Sequence, residues 1–386
     1  MKLYETNGHI KEFEATVLSC EKNSDGNYDI VLNQTAFFPE GGGQSSDDGT
    51  IDENKVLKLR LTDDSANVIH TISSPKAIGS KVFCQIDMDK RFSDMQNHTA
   101  EHIVSGIIHS LYGYDNIGFH MGENEITMDF NGILDKKQLD DIEMRANKVV
   151  YDNVPINISF ISPENADKVF FRSKKEINST IRLVEIEGVD VCACCAPHVL
   201  KTGEIGIIKL LGVQKYKGGI RISMLAGQRA YLEMKKHFDN VKSISTSLSS
   251  HSDKIVDNFK LLQNEISQLK CDKSSIKEKY YTLLSEKYSF KDKLIVIFED
   301  NSDINDLRKL VNILMEKTDG ICAAFSKIEN KPYSFVIGSK TADLADLQRI
   351  MKTELNASGG GRNTMIQGSV STSEEKIKAL FNSYIS

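Results

Sequence analysis

Two short pieces of this chain constrain its fold more than any other. In His98-Thr99-Ala100-Glu101-His102, two histidines stand four residues apart inside an apolar run of Ala100, Ile103, Val104, Ile107 and Ile108. On a helix that spacing puts both imidazoles on one face, about one turn apart. Far downstream, Cys194-Cys195-Ala196-Pro197-His198 repeats the spacing with a thiol and an imidazole. Together the two pieces offer three ring nitrogens and one sulfur, a donor set that suits zinc. The fold must bring a helix and a distant loop to one point. The alternative is a pair of core histidines and an unrelated cysteine cluster.

Three thiols compete in the loop, Cys192, Cys194 and Cys195. Cys194 gives Cys-x3-His with His198, and Pro197 restricts the backbone just before the histidine. The zinc-protease pattern needs Glu directly after the first histidine, and Thr99 stands there. Glu101 admits two readings, an orienter of a ligand imidazole or a solvated helix residue. Four protein donors would close a tetrahedron, as in structural sites.

Residues 1–90 read as short strands at 14–20, 28–32, 55–61, 68–72 and 81–86, separated by Gly, Asn, Asp and Pro turns. That spacing predicts a small antiparallel barrel. Within it lies Thr35-Ala36-Phe37-Phe38-Pro39-Glu40-Gly41-Gly42-Gly43-Gln44. The glycines let a ligand approach the backbone closely, and the amide of Gln44 suits a carbonyl or a water. A nucleotide-binding loop is not matched, because no Lys-Ser/Thr follows. A wide hairpin turn is the plainer reading.

Residues 91–230 predict a two-layer α+β domain: helices at 91–112 and 135–153, strands at 126–130, 155–161 and 181–186, and a hairpin of 205–211 with 219–225. Residues 231–290 lack Pro and Gly and carry apolar residues at alternating steps of four and three, broken only where Lys273 takes an apolar slot: Ile255, Phe259, Leu262, Ile266, Leu269, Ile276, Tyr280 and Leu283. This predicts one long helix or a helical hairpin, a coiled-coil linker, with the Ser-rich 243–252 as a place for a break. Residues 291–386 alternate strands and helices, which predicts a small α/β domain. Its Gly359-Gly360-Gly361-Arg362 reads as a loop between helices.

Seven cysteines in a reducing pattern, no apolar leader and no membrane-length apolar run predict a soluble cytoplasmic protein with no membrane partner. The net charge of −6 does not advertise nucleic-acid binding. Yet between residues 199 and 236 lie Lys201, Lys209, Lys215, Lys217, Arg221, Arg229, Lys235 and Lys236 against only Glu204 and Glu233. A basic surface there, directly after the Cys-x3-His, suits a phosphate backbone; the alternative is an ordinary solvated face.

Taken together, His98-x3-His102, Cys194-x3-His198 and the Thr35…Gly42-Gly43-Gln44 segment resemble the editing domain of alanyl-tRNA synthetase. They are most similar to its free-standing relatives, the AlaX-type alanyl-tRNA editing proteins. The Ala357-Ser358-Gly359-Gly360-Gly361-Arg362 region resembles the DHH-associated domain at the synthetase C-terminus. Cys192 and Cys195 are departures, extra thiols beside Cys194.

The resemblance implies an aminoacyl-tRNA deacylase that removes Ser, and Gly, from mischarged tRNA(Ala). No aminoacylation module precedes these motifs, so the expected action is in trans. One zinc held by His98, His102, Cys194 and His198 is implied, with these residues and Gln44 as the catalytic set. Thr35, Gly42, Gly43, Gln44 and Arg221 are implied substrate contacts. Lys215, Lys217 and Gly359, Gly360, Gly361 and Arg362 are implied tRNA contacts. A homodimer through the helical and C-terminal regions is expected by the same analogy.

Overall fold

The structure, a computed structural model, describes residues 1–122, 124–173, 180–329 and 331–385. The chain forms two compact units, Met1–Ser243 and Ile244–Ser386.

The first unit opens with seven strands: β1 (Glu12–Lys22), β2 (Tyr28–Leu32), β3 (Gly49–Ile51), β4 (Asn54–Lys55), β5 (Lys58–Leu61), β6 (Val68–Ile72) and β7 (Lys81–Ile86). They form one antiparallel sheet in the order β4-β3-β7-β1-β2-β6-β5. Its curl comes from β1, which changes partner along its length. Glu12–Thr16 pairs with β7, Val17–Lys22 pairs with β2, and a bulge sits between Val17 and Ser19. The edge strands β4 and β5 do not pair, so the predicted barrel is a half-barrel. The single strand predicted over 55–61 is two, because the chain changes partner there: Lys55 pairs with Thr50 of β3, and Lys58 pairs with Thr71 of β6.

Next comes α1 (Met88–Tyr112), which carries both histidines. It begins three residues earlier than its apolar pattern does, because the Asp87 carboxylate accepts from the amides of Asp89 (3.1 Å) and Lys90 (3.2 Å). Gly113, in left-handed backbone, ends it. Then follow β8 (Asn116–Met121), β9 (Ile126–Phe130), α2 (Lys136–Asp152), β10 (Ile156–Ile161), β11 (Ile181–Ile186), β12 (Asp190–Ala193), β13 (Ile208–Tyr216), β14 (Gly219–Ala226) and α3 (Gly227–Ser247). They build a four-stranded sheet, β13-β14-β9-β8, and a three-stranded one, β10-β11-β12. Ile103, Val104, Ile107 and Ile108 of α1 share one core with Ile142 and Ala146 of α2, Val184 of β11 and Ile222 of β14. Phe37, Phe38, Ile30 and Ile72 belong to a second core inside the half-barrel. Cys194 packs against both.

Where the half-barrel meets α1, Arg91 is fully buried. Its guanidinium grips Asp47, with Nε 2.7 Å from Oδ1 and Nη2 on Oδ2, and donates to the carbonyls of Gly8 (3.0 Å) and Ala36 (2.6 Å). Asp47 in turn accepts from the Phe38 amide. Helix α1 is thus bolted to both ends of the segment that contains the glycines.

The second unit holds α4 (Ile255–Ser285), β15 (Leu294–Asp300), α5 (Ile304–Met315), β16 (Ile321–Lys327), β17 (Tyr333–Gly338), α6 (Ala345–Glu354), β18 (Ser358–Arg362), β19 (Met365–Val370) and α7 (Glu374–Ile385). Its sheet runs β15-β16-β17-β19-β18, parallel only between β15 and β16, which α5 connects. The segment Gly359–Gly361, read as a loop, lies inside β18, an exposed edge strand paired with β19. Without side chains those positions show no alternation for a strand reading to catch. Helices α3 and α4 are separate, and the break falls in the Ser-rich stretch. Among the described residues, no helix is long and apolar enough to cross a membrane.

Removing one member of a buried pair strands the other's charge. Arg91→Ala is therefore expected to lower unfolding free energy by about 3–5 kcal/mol in urea at neutral pH. A loss below about 1 kcal/mol would show that the clamp is dispensable.

Candidate metal centre

Helix geometry puts His98 and His102 on the same face of α1, and the loop after β12 carries Cys194 and His198 to that face. Ligand atoms of all four lie within 4.8 Å of one another. The ring centroids are 5.4 Å apart for His98 and His102, 4.9 Å for His98 and His198, and 4.7 Å for His102 and His198. Cys194 Sγ is 3.6 Å from His98 Nε2 and 3.4 Å from His198 Nε2. Bond lengths of about 2.05 Å to nitrogen and 2.3 Å to sulfur at tetrahedral angles place N and S about 3.6 Å apart across a zinc ion. The donor set and its spacing fit that metal.

Each imidazole is turned by a partner on its other nitrogen. The amide oxygen of Gln44 is 2.8 Å from His98 Nδ1. The hydroxyl of Thr99 is 3.0 Å from His198 Nδ1. Asp190 Oδ2 is 3.2 Å from His102 Nδ1. These contacts favour the proton on Nδ1 and leave Nε2 to the cluster, the arrangement metal-binding histidines use. Asp190 is itself held by both ends of the Arg172 guanidinium, at 2.6 and 2.8 Å. Burial works against its charge, but Arg172 and His102 outweigh it and keep the carboxyl below the usual carboxylate range.

Gly106 makes this approach possible. A Cβ there would stand 2.5 Å from the Val189 carbonyl oxygen and 2.8 Å from Asp190 Cβ. The turn before β12 lies directly on the helix.

The electrostatics separate the three thiols. Burial alone would raise the Cys194 thiol, yet the imidazoles of His98, His198 and His102 hold it well below its ordinary value. Burial pushes Cys192 up to about 11. Burial takes His198 down to about 3, so that ring is neutral. Burial opposes the charge on His102, but Cys192, Asp190 and Cys194 raise it well above its ordinary value. A thiolate paired with a protonated imidazole is a site where a divalent cation displaces a proton. Cys192 also groups with His102 and Asp190. Cys195 is exposed.

A cavity of about 940 Å³ opens over the cluster, walled by Gly42, Gly43, Phe119, Phe160, Arg172 and Arg182 among others. Gly43 needs to be glycine: its φ is +87° and a Cβ would stand 2.6 Å from the Phe119 ring and carbonyl. The Met121 amide donates to the Gly43 carbonyl at 3.0 Å and pins the loop to β8. Gln44 is fully buried, and its Nε2 has no partner among the described residues. Glu101 is buried, accepts from Ser105 Oγ at 2.8 Å and lines the cavity. The solvated reading of that residue does not hold.

A relative from Rattus norvegicus, "Alanyl-tRNA editing protein Aarsd1", is 30% identical over 279 residues, covering 68% of this chain and 67% of its own length. The chain belongs to the alanyl-tRNA editing protein family. Within that family, the Pyrococcus horikoshii "Alanyl-tRNA editing protein AlaX-L" is 25% identical over 399 aligned residues, 97% of this chain and 96% of the relative. The Xenopus laevis protein Aarsd1-A is 27% identical over 276 residues, and the match spans 70% of this chain but only 66% of that relative. The description "Threonyl and Alanyl tRNA synthetase second additional domain" matches residues 181–223, which include β11, β12 and the Cys194–His198 loop.

Other residues expected in the site of an alanyl-tRNA editing protein lie apart from the cavity wall. Thr35 is buried in the half-barrel, its hydroxyl 2.9 Å from His70 Nε2 and accepting from the Phe37 amide at 3.1 Å. Arg221 forks onto Asp129 (2.6 and 2.8 Å) and stacks on Tyr216 at 3.8 Å. Lys215 and Lys217 are exposed at the tip of the β13–β14 hairpin. Gly359, Gly360, Gly361 and Arg362 are exposed on β18 of the second unit. Sequence reading missed Arg172, Arg182 and Asp190. Gly106 was the available signal, a glycine in mid-helix where something packs closely.

Loss of a carboxylate behind a ligand histidine typically costs 10–100-fold in metal affinity. Asp190→Asn is expected to weaken zinc retention by about that factor in a chelator competition. Equal retention by variant and wild type would show that Asp190 does not orient His102.

Proposed function

We propose that this chain hydrolyses the ester joining a wrong amino acid, serine or glycine, to tRNA(Ala), at a zinc site formed by His98, His102, Cys194 and His198. The observation that carries the reading is one cavity in which His98, His102 and Cys194 of that cluster meet Gly42 and Gly43, with Gln44 behind His98. The names of the relatives support the same substrate class. The chemical need is general: a pocket sized for alanine excludes glycine poorly and serine imperfectly, so a second hydrolytic site corrects the error.

Zinc, when bound, supplies a Lewis acid beside the ester. The chain's own groups do the rest. The backbone at Gly42 and Gly43 allows the charged end of the tRNA to come close. Gln44 orients His98 with its oxygen and offers its free Nε2 to a carbonyl or a water. The glycine loop and Phe119 restrict water to the cavity. For Thr35 to read the serine hydroxyl, its own hydroxyl must exchange His70 for the substrate. Lys215 and Lys217 contact the acceptor-arm phosphates, and Arg221 contributes by holding Tyr216 beside them. The Gly359–Arg362 strand offers backbone and one cation to another part of the tRNA.

A second reading has its own observation. Four protein donors complete a tetrahedron, as in a structural zinc site. Deacylation of Ser-, Gly- and Ala-tRNA(Ala), side by side with and without chelator, decides between them. Hydrolysis of the first two, faster than the third and lost with zinc, is expected. Loss of Ser-tRNA(Ala) no faster than in buffer would leave the structural reading.

We also infer self-association through α4. Phe259, Leu262, Ile266, Leu269, Ile276 and Leu283 are all at least 41% exposed along one stripe. In a parallel pair of such helices, Glu265 faces Lys270 of the second copy, a favourable flanking charge pair, and Lys273 takes a core position of the kind dimers tolerate. A dimer is expected in sedimentation at micromolar concentration, and a clean monomer there refutes it.

A further inference from the structure

Arg182 stands on β11 and lines the cavity above the cluster. It is 7% exposed. Three of its donor contacts go to backbone: Nε to the Glu5 carbonyl at 2.7 Å, and Nη1 to the carbonyls of Cys194 at 2.6 Å and Ala196 at 3.0 Å. Its second terminal nitrogen, Nη2, is equally buried and meets no acceptor among the described residues. A buried guanidinium nitrogen without a partner is costly, and such atoms are rare in folded proteins.

The other arginine of the cavity wall is different. Arg172 spends both ends of its fork on the Asp190 carboxylate. The partners of Arg182 are all neutral carbonyls, so its charge is not cancelled by direct contact. It is also fixed in place before anything binds, because three carbonyls hold it. Pre-positioned, uncompensated cations with a free donor suit an anionic oxygen. Phe160, which pairs with Arg182 across β10 and β11, lines the same cavity and is 48% exposed. An aromatic face next to a cation suits a nucleobase followed by its phosphate.

We propose that Arg182 is a substrate-binding residue whose Nη2 receives an anionic oxygen of the aminoacyl-tRNA end. This rests on the editing function proposed above and adds a residue to it. Two oxygens have the required chemistry: a non-bridging oxygen of the terminal phosphate, and the oxygen that becomes negative as the ester carbon turns tetrahedral. The hydrolysis balances without further reactants. Water adds to the ester carbon, the bond to the ribose oxygen breaks, and the ribose leaves as a hydroxyl carrying a proton from that water.

The test uses the full zinc-loaded chain and the variants Arg182→Lys and Arg182→Gln, each checked for zinc content and melting temperature. Deacylation is followed on Ser-tRNA(Ala) and on phosphate-free 3′-seryl-adenosine, and binding of AMP and adenosine is measured by calorimetry. If phosphate is the partner, KM for the charged tRNA rises about tenfold or more, seryl-adenosine is unaffected, and AMP loses its advantage over adenosine. If the developing oxyanion is the partner, kcat falls about tenfold or more on both substrates with KM unchanged. Folded, zinc-loaded variants within about twofold of wild type in every assay overturn the proposal.

Should neither variant fold, a crystal of the wild type with the amide-linked analogue of 3′-seryl-AMP replaces them. No ligand oxygen within about 3.5 Å of Nη2 then overturns the proposal. A wild type that deacylates nothing, yet binds AMP better than adenosine in a way Arg182→Lys abolishes, removes the editing function and leaves the anion site standing.

Discussion

The buried pair of Arg91 and Asp47 sets the position of nearly everything at the site. Two charges taken out of water are costly, and their attraction repays the cost only with good geometry and with their remaining hydrogen bonds filled. Both conditions are met. Two nitrogens of Arg91 meet two oxygens of Asp47, and the carbonyls of Gly8 and Ala36 take other donors. The consequence runs along both elements. Seven residues after Arg91, about two helical turns, stands His98. Three residues before Asp47 stands Gln44. Once the pair is made, Gln44 has little choice but to face His98, and the contact at 2.8 Å follows. The pair therefore acts at a distance from the chemistry, as a peg that fixes the register between helix and glycine loop.

The three imidazoles depend on three separate parts of the first unit. Gln44 comes from the half-barrel, Thr99 from α1 itself, and Asp190 from the start of β12. Cys194 lies on the seam between the two cores. Arg182 adds a further tie, joining the N-terminal Glu5 to the carbonyls on either side of Cys195. A cluster built this way is complete only when both cores have formed, so its assembly reports on the folding of the whole unit. It also explains why so much of α1 is buried: the helix has packed neighbours on every side, and polar residues such as Asn97, Thr99 and Ser105 are enclosed with it.

What could be read from the sequence follows from what repeats. The spacing of His98 and His102 within an apolar run placed the helix and the side that carries both imidazoles, and most strands of the first unit fell where their apolar runs put them. Closure of the barrel was not readable, because it depends on how β1 shares its two halves between partners. The β18–β19 hairpin escaped because glycines leave no pattern. The buried charges escaped for a different reason. Arg91, Arg172, Arg182 and Asp190 look in sequence like any surface residue, and only the tertiary structure shows what encloses them. Gly106 was a usable hint. A glycine in the interior of a helix costs about 1 kcal/mol against alanine, and in this helix it is repaid by the approach of Val189 and Asp190 to the ligand face.

Four protein donors that could hold one cation raise a question that the surroundings help to answer. A closed tetrahedron with satisfied neighbours is what a structural zinc needs, and nothing in that role calls for spare hydrogen-bond donors. Among the described residues, Gln44 keeps one at Nε2 and Arg182 one at Nη2, on different sides of the cluster: one behind His98, the other beside the Cys194 carbonyl. A cavity large enough for an aminoacylated nucleoside opens between the glycine loop and β11. Unfilled donors in a site held rigid by a buried ion pair have a use only if a ligand brings the acceptors. That supports the proposed function, in which a metal would share the work of holding a substrate with the residues around it, over one in which a metal would merely pin a loop.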